Sequence, residues 1–338
     1  MRAALPDRRL AIIADDIVAP LYAPRLSRAL GGPATRTLVF PAGEASKSRT
    51  EWARLTDELI AAGFGRDSAI VALGGGVTGD LAGFVAATYL RGVPVVHVPT
   101  TLLAMIDASI GGKTGVDTRA GKNLVGAFHH PALVVIDPRV LRSLPVPHRR
   151  NGLAEAVKHG VIASPAAFAW LADHAAEVAA DGLDDDATAL HLVTEQVRIK
   201  ASIVEQDERE TGLRKVLNFG HTIGHAVETL SEFALPHGEC VAIGMVVESR
   251  LAALAGLADA SLAESIRSVL RSAGLPITVP AAMPASDVLA ATRADKKARG
   301  GAVEYAIPLR IGEMAGSDHG HAVAVADGLV VAAIEATR

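Results

Sequence analysis

The stretch Ala69-Ile-Val-Ala-Leu-Gly-Gly-Gly-Val-Thr-Gly-Asp80 decides the fold. Its first five residues, Ala69–Leu73, predict a buried strand, and the glycines that follow lead into a predicted helix, Asp80–Leu90. A strand, a glycine turn and a helix N-terminus in this order can hold a pyrophosphate, because glycines allow close approach and unpaired N–H groups attract its charge. The spacing satisfies G-x-G-x-x-G, but no acidic residue follows about 20 positions later, so nucleotide binding and a merely tight turn both stay open.

Outward from this turn, the first half of the chain alternates short apolar runs with helical stretches. The predicted strands are Leu10–Ala14, Thr37–Phe40, Ala69–Leu73, Val95–Val98 and Leu133–Ile136, and the predicted helices are Trp52–Ala62 and Asp80–Leu90. This alternation is typical of an α/β fold with a Rossmann-like, doubly wound parallel sheet. We predict that this domain covers residues 1–146.

From about Pro147 the pattern changes to helical periodicity without strands. The predicted helices are Gly152–Ile162, Ala166–Ala180, Ala187–Asp207, Leu213–Ser231, Val241–Ala255 and Leu262–Ala273. Proline resists helix continuation, so the segment Pro145–Pro147 is the predicted boundary. We therefore predict a second, all-helical domain over residues 147–338.

Two further acidic segments follow strands of the first half. Asp15 ends the first predicted strand, and Glu44 and Lys47 follow the second. Ligands of open α/β sheets lie at the carboxyl ends of strands, so these residues are candidates for holding a ribose. The alternative is a solvated loop acid and a surface ion pair.

Three segments of the helical half carry histidine or glutamate among apolar neighbours. They contain Glu155, then His221 and His225, then His237. Imidazole and carboxylate bind zinc well, and three protein ligands leave a position open for substrate. Spacing pairs His221 with His225 on one helix face and leaves the third ligand open between His237 and Glu155. Hydrogen-bonded core residues are the alternative for any one histidine.

Basic residues accompany these segments and predict an anionic substrate. In the helical half they are Lys158, Lys200, Arg214, Lys296 and Lys297. In the first half, Lys113 and Lys122 lie in a predicted glycine-rich loop that is similar to a phosphate cradle but lacks the spacing of a P-loop.

Composition excludes several classes of protein. The 338 residues carry a net charge of −4, which gives no basic field for nucleic acid. No apolar run reaches the roughly 18 residues of a membrane span, and no export signal is evident, so a water-soluble globule is expected. The single cysteine, Cys240, fits a reducing compartment, with the cytoplasm as the default.

Several motifs occur in the order typical of one family. They are Gly74-Gly-Gly-Val-Thr-Gly-Asp-Leu-Ala-Gly-Phe84, Pro99-Thr-Thr-Leu-Leu103, Gly111-Gly-Lys-Thr-Gly115, Gly121-Lys-Asn123, Asn218-Phe-Gly-His-Thr-Ile-Gly-His225 and His237-Gly-Glu239. From about Leu10 to Gly312 the chain resembles the sugar phosphate cyclases, and among them the 3-dehydroquinate synthases. The resemblance implies conversion of 3-deoxy-D-arabino-heptulosonate 7-phosphate to 3-dehydroquinate and phosphate, a step of the shikimate pathway towards aromatic amino acids.

The resemblance also implies cofactors and roles. It implies NAD as cofactor, zinc as the metal with cobalt as the alternative, and a cytoplasmic homodimer. The implied zinc ligands are Glu155, His221 and His237. The implied NAD-binding residues are Asp15, Glu44, Lys47, Gly74, Gly75, Gly76, Val77, Asp80, Thr100, Thr101 and Lys122.

The remaining implied contacts belong to the substrate. Lys158 and Asp107 contact ring hydroxyls, and Lys200 and Arg214 hold the carboxylate. The phosphate end is surrounded by Lys113, Asn123, Asn218, His225, Lys296 and Arg91, of which Arg91 resembles a residue supplied across a dimer interface.

Alternatives remain within and outside the family. Relatives that cyclise sedoheptulose 7-phosphate or glucose 6-phosphate act on substrates without a carboxylate, so Lys200 and Arg214 favour the dehydroquinate reaction, whereas an aminated analogue would keep the carboxylate. A metal-dependent dehydrogenase of glycerol-dehydrogenase type and a non-catalytic binding protein are the other classes. The departures from the family pattern are Asp107-Ala108-Ser109, His129-His130 and Glu304.

Overall fold

The structure is a computed structural model that describes residues 4–5, 7–31, 35–119, 121–294, 303–317 and 320–338. The chain divides into two compact units between Leu144 and Pro145. Within the described ranges, no helix has the length and apolar character that a membrane crossing requires.

Within its described residues, the first unit contains seven strands and three α-helices. The strands are β1 (Arg9–Asp15), β2 (Thr35–Phe40), β3 (Ser68–Gly74), β4 (Val95–Pro99), β5 (Lys113–Thr118), β6 (Gly121–Phe128) and β7 (Leu133–Val134), and the helices are α1 (Val18–Ala29), α2 (Arg49–Ala61) and α3 (Gly76–Thr88). Five strands form one parallel sheet in the order β2-β1-β3-β4-β7. The predicted doubly wound α/β fold is confirmed.

The sheet is buried on both faces, and alternate residues of one strand therefore pack into two different cores. In β1, Ala11 and Ile13 pack into one cluster with Leu55 and Phe84. Ile12 packs into the other cluster, on the opposite face. A strand covered on both faces has no polar side to alternate with, which explains the unbroken apolar runs in the sequence.

The stretch predicted as a glycine-rich loop forms an antiparallel hairpin of β5 and β6, so that prediction is wrong. A side chain at Gly126 would place its Cβ 2.2 Å from the carbonyl oxygen of Thr114 on the opposite strand. The glycines therefore allow two strands to approach closely, and their abundance conceals the strand pattern.

The second unit is helical, as predicted. Its helices are α4 (Val146–Ala163), α5 (Pro165–Ala180), α6 (Asp186–Gln206), α7 (His221–Leu230), α8 (His237–Leu254), α9 (Ala260–Ser272), α10 (Ala285–Ala294) and α11 (Asp327–Glu335). Four short strands, which periodicity did not predict, form two small antiparallel pairs: β8 (Glu304–Tyr305) with β11 (Val323–Ala324), and β9 (Pro308–Arg310) with β10 (Glu313–Met314).

The predicted helix Leu213–Ser231 is interrupted. A short helical turn, Leu213–Asn218, ends before Gly220, whose φ of 78° is left-handed, and α7 begins at His221. An added Cβ at Gly220 would lie 2.5 Å from Cγ of Met245 on α8. This break gives α7 a free N-terminus at the first predicted ligand on that helix.

Replacing Gly74 with alanine is expected to destabilise the first unit by about 1–3 kcal/mol, the usual cost of overpacking. The added Cβ would lie 2.7 Å from Cβ of Thr78, which is a stiff part of that side chain. Gly328→Ala in α11 is the control, because a Cβ there meets nothing within 4 Å among the described residues. Urea unfolding of both variants measures the difference, and equal stabilities would contradict the close approach at Gly74.

Candidate metal and cofactor sites

Three helices of the second unit bring the predicted metal-binding residues together. Glu155 lies on α4, His221 begins α7 and His237 begins α8. Oε1 of Glu155 lies 3.6 Å from Nε2 of His221 and 3.5 Å from Nε2 of His237. One potential ligand atom from each residue falls within 4.8 Å of the others, which suits a metal site with three protein ligands.

The chemistry of these three residues fits a divalent cation. Glu155 is fully buried, and although Lys158 contacts its Oε2, neither carboxylate oxygen accepts a hydrogen bond of normal geometry from the described residues. Burial raises the pKa of Glu155, but Lys158, His221 and His237 outweigh burial and hold that pKa well below its ordinary value. An ionised carboxylate with unsatisfied oxygens is suited to a metal.

The two histidines present the same ring nitrogen to Glu155. Nδ1 of His221 lies 3.1 Å from the carbonyl oxygen of Phe219, which assigns the proton to Nδ1 and the lone pair to Nε2. Burial holds the pKa of His221 well below its ordinary value, so this imidazole is neutral. Spacing left the third metal ligand open between His237 and Glu155. In the structure both residues lie beside His221.

His237 lies between two carboxylates. Its Nδ1 is 3.6 Å from Oε2 of Glu228, on the side opposite Glu155. Burial lowers the pKa of His237, but Glu155 and Glu228 outweigh burial and raise it to about 9. A cation bound at Nε2 would take the place of that proton, while Glu228 orients the ring from its other nitrogen.

His225 and Glu228 form a second group with His237. His225 is half-buried, and its ring centroid lies 5.3 Å from that of His221 and 5.9 Å from that of His237. Sequence analysis missed Glu228. Its position seven residues after His221, on the same face of α7, was a signal that could have revealed it.

The predicted substrate cations of the second unit are buried. Lys158, Lys200 and Arg214 are 1%, 7% and 1% exposed, respectively. Arg214 donates from Nη1 to the carbonyl oxygen of Glu208. The neighbouring Asn218 donates from Nδ2 to Oε1 of Glu210 at 2.7 Å. Lys296 and Lys297 lie outside the described residues.

Asp207 organises the backbone at the start of the helical turn that carries Arg214. Its Oδ1 accepts from the backbone N–H of Thr211 at 3.0 Å, and its Oδ2 accepts from those of Gly212 at 2.7 Å and Arg214 at 3.0 Å. Burial raises the pKa of Asp207, but these donors outweigh burial and lower the pKa to about 2. The ionised carboxylate thus fixes the backbone from which the Arg214 side chain extends.

Asp207→Asn is therefore expected to destabilise the protein in a pH-dependent way. The folded pKa of about 2 lies below the ordinary 3.8, so the charged group stabilises the fold above pH 3.8 and this contribution is lost as pH falls through about 2. The difference in unfolding free energy between parent and variant should be full at pH 6 and shrink below pH 4. Urea unfolding at pH 6, 4 and 3 measures it, and a difference that stays constant would contradict this role.

Glu304, a departure from the family pattern, has a partner of opposite charge. Its Oε2 lies 3.9 Å from Nζ of Lys215, and its backbone pairs with Ala324 in the small sheet of β8 and β11.

In the first unit, the glycine turn has the predicted strand–turn–helix geometry. β3 ends at Gly74, and α3 begins at Gly76 and carries Val77 and Asp80. Gly74 accepts a hydrogen bond at its carbonyl oxygen from the backbone N–H of Thr100, at 2.9 Å. A Cβ at Gly75 would lie 3.2 Å from Cγ2 of Thr101, so the threonines that follow β4 border the turn directly.

Asp15 has a local structural role. Its Oδ1 accepts from the backbone N–H groups of Ile17 at 3.0 Å and Val18 at 2.8 Å, at the start of α1. Its Oδ2 lies 3.4 Å from Oγ1 of Thr78. Asp15 thus links the end of β1 to the beginnings of α1 and α3.

Lys47 is 4% exposed, so it does not form the surface ion pair that was the alternative to a ribose-binding role. Its Nζ lies 2.8 Å from Oε1 of Glu44, 3.4 Å from Oδ2 of Asp80 and 3.6 Å from Oδ1 of Asp117. Lys122 lies 3.5 Å from the same Glu44 oxygen. Sequence analysis missed Asp117, which the irregular hairpin brings to this cluster.

Burial and the neighbouring charges shift the pKa values of Lys47 and Asp80 to different extents. Burial lowers the pKa of Lys47, but Asp80 and Glu44 outweigh burial and raise it above its ordinary value. Burial raises the pKa of Asp80 to about 6, in spite of Lys47. The cluster joins the segment after β2, the start of α3 and the hairpin, which are the elements around the glycine turn.

The other predicted residues of the first unit lie near its surface or in turns. Arg91 is exposed and has a φ of 68°, directly after Leu90 with a φ of 49°. Lys113 is exposed at the start of β5, and Asp107 is half-buried in the helical turn Ala104–Ala108. Asn123 is exposed and donates its backbone N–H to Oδ1 of Asp117 at 2.8 Å.

A Rossmann-like unit with a glycine turn, followed by a helical unit with a Glu-His-His group, defines a class of two-unit nucleotide- and metal-binding enzymes. Family models described as 3-dehydroquinate synthase N-terminal and 3-dehydroquinate synthase C-terminal match residues 37–151 and 152–298. The chain belongs to the 3-dehydroquinate synthase family.

Curated relatives agree with this membership. A 3-dehydroquinate synthase of Symbiobacterium thermophilum is 48% identical over 318 residues, which cover 93% of this chain and 88% of the relative. A second, of Desulforamulus reducens, is 43% identical over 311 residues, which cover 91% of this chain and 86% of the relative.

Solved structures of related cyclases share the fold. A 2-epi-5-epi-valiolone synthase from Streptomyces hygroscopicus subsp. jinggangensis with NAD+ and Zn2+ bound has a TM-score of 0.88 at 32% identity, covering 99% of this chain and 92% of that chain. A 2-deoxy-scyllo-inosose synthase complexed with carbaglucose-6-phosphate, NAD+ and Co2+ has a TM-score of 0.90 at 26% identity, with the same coverage.

Proposed function

We propose that this chain is a phosphate-eliminating carbon–oxygen lyase that converts 3-deoxy-D-arabino-heptulosonate 7-phosphate to 3-dehydroquinate and phosphate. Membership of the 3-dehydroquinate synthase family carries the proposal. The buried cations Lys200 and Arg214 support it, because their positive charge favours a substrate that carries a carboxylate.

The proposed ligands of the metal are Glu155, His221 and His237, and the proposed NAD site is the glycine turn with the Lys47 cluster. NAD, when bound, would supply a hydride acceptor and donor, and a divalent metal would supply Lewis acidity toward the reacting hydroxyl. The chemical types of these donors support the metal assignment, since neutral imidazole and carboxylate suit both zinc and cobalt.

The remaining residues bind and orient the substrate. Lys158 and Asp107 would contact ring hydroxyls, while Lys200 and Arg214 hold the carboxylate. The residues proposed around the phosphate are Arg91, Lys113, Asn123, Asn218, His225 and Lys296. Donors in these roles would orient the substrate and stabilise developing negative charge.

The overall reaction is redox-neutral and balances without an external oxidant. The C–O bond to phosphate breaks, the neighbouring carbon gives up a proton, and phosphate can carry that proton away. The sugar ring then opens, and an intramolecular aldol reaction closes the opened chain with one new C–C bond. No separate strong base is required of the protein.

The choice of substrate within the family rests on the carboxylate. Sugars such as sedoheptulose 7-phosphate lack this group and would forgo the proposed contacts with Lys200 and Arg214, at a cost in affinity. An aminated analogue of the dehydroquinate substrate keeps the carboxylate, so competition between the two distinguishes them.

We further propose that the enzyme acts as a cytoplasmic homodimer. A single buried thiol, Cys240, suits a reducing compartment. The exposed Arg91 supports the dimer, because two successive left-handed non-glycine residues hold its backbone in a costly conformation at the surface. Light scattering of the purified protein measures its mass in solution.

The decisive experiment measures phosphate release from 3-deoxy-D-arabino-heptulosonate 7-phosphate with added NAD and Zn2+, with and without chelator, beside sedoheptulose 7-phosphate. Turnover of the first substrate alone, without net NADH and abolished by chelation, is expected. Release from the carboxylate-free sugar alone would assign the chain to another cyclase reaction, and stoichiometric NADH would indicate a dehydrogenase.

A further inference from the structure

Glu248 is a buried carboxylate that no sequence motif included. It lies on α8 with 0% exposure. Its Oε2 accepts a hydrogen bond from the backbone N–H of Gly220 at 2.6 Å, and its Oε1 accepts one from that of Ile223 at 3.1 Å. Burying a carboxylate is costly unless it is paired or hydrogen-bonded, and these two backbone N–H groups are among the partners that stabilise it here.

The two donors flank His221. The first N–H groups of a helix have no partner within that helix, and a negative charge near them is favoured by the helix dipole. In α7 a carboxylate from the neighbouring helix α8 fulfils this role. Glu248 therefore fixes both sides of the backbone segment that carries His221.

This segment determines where the imidazole of His221 points. Nδ1 of His221 bonds the carbonyl oxygen of Phe219, and Nε2 lies 3.6 Å from Oε1 of Glu155. Both contacts depend on the position of the first turn of α7. We infer that Glu248 is a positioning residue of the metal centre, which holds the start of α7 so that Nε2 of His221 faces the ion.

This inference rests on the proposed metal dependence and is tested by metal affinity. Glu248→Gln keeps the size of the side chain but removes its charge and places an N–H2 group against a backbone N–H. We expect Co2+ affinity, measured by competition with a chelating dye, to fall by about 10–100-fold, the usual effect of losing an outer-shell partner. The visible absorption spectrum of bound Co2+ should change as well, since it reports coordination geometry.

Val247→Ala is the matched control. Val247 precedes Glu248 on α8 and is also 0% exposed, but it packs in the apolar core. This variant should lower the melting temperature and leave Co2+ affinity and spectrum as in the parent. A general loss of stability therefore cannot imitate the expected result.

Two outcomes would overturn the inference: parent-like Co2+ affinity and spectrum in Glu248→Gln, or an equal loss of affinity in Val247→Ala. If Glu248→Gln does not fold, Glu248→Asp keeps the charge but withdraws it by one methylene, and the same comparison applies with the same two outcomes. Failure of the proposed function is a separate result. In that case the parent protein releases no phosphate from the substrate, whatever its affinity for metal.

Discussion

His237→Ala should lose bound metal and catalytic activity together. His237 presents Nε2 at 3.5 Å from Glu155 and lies between two buried carboxylates. If Glu155, His221 and His237 are the ligands, as we propose, this variant removes one of three. Metal affinity should then fall by more than about 10–100-fold, the usual cost of losing an outer-shell partner. Metal content after dialysis and phosphate release with added Zn2+ measure both effects.

His225→Ala separates the two overlapping groups of potential ligands. His225 belongs with Glu228 and His237 but not with Glu155. If Glu155, His221 and His237 hold the ion, His225→Ala keeps the metal and loses turnover, whereas His237→Ala loses both. Retention of metal in Glu155→Gln with loss in His225→Ala would instead place the ion in the other group.

The fold was largely predictable because the strands of the main sheet are covered on both faces. A strand that is buried on both faces is an unbroken apolar run such as Ala69–Leu73, and such runs are easy to find in the sequence. Helix α1 was not predicted, since Pro24 opposes helix formation within its sequence, although Val18–Ala29 is helical. The hairpin of β5 and β6 was missed for the opposite reason, because glycines that permit close strand contact carry no strand signal.

The candidate metal site shows what spacing can and cannot predict. Helical periodicity relates His221 to His225, but it contains no information on the distance from His221 to Glu155, which lies on another helix. The packing of α4, α7 and α8 fixes that distance. The resemblance to the cyclases supplied the group Glu155, His221 and His237, and the structure brings these side chains together.

Buried carboxylates around the site were the hardest residues to predict. Glu228 and Glu248 lie in apolar helical stretches, where the sequence alone does not reveal their partners. A buried acid needs partners, and here Glu228 faces an imidazole while Glu248 accepts from two backbone N–H groups of the neighbouring helix. An isolated glutamate within a long apolar helical run is therefore the signal to follow in such sequences.

Arg214→Ala should retain the metal and lose the carboxylated substrate selectively. Arg214 is 1% exposed, and the backbone at the start of its helical turn is fixed by Asp207, so the guanidinium is held in place before substrate binds. Removing one partner of a buried charge pair costs about 2–5 kcal/mol. At about 1.4 kcal/mol for each tenfold change, kcat/KM for 3-deoxy-D-arabino-heptulosonate 7-phosphate should fall by at least about 30-fold.

Lys215→Ala is the matched control for this variant. Lys215 is the next residue, but it faces Glu304 at 3.9 Å and has no proposed contact with substrate. It should therefore keep kcat/KM near that of the parent. Inhibition by a carboxylated and by a carboxylate-free sugar phosphate, measured for both variants, separates loss of carboxylate recognition from general damage. If Arg214→Ala weakens both inhibitors equally, or releases the metal, the positive charge at this position serves the site as a whole and substrate choice must depend on Lys200 or on another cation.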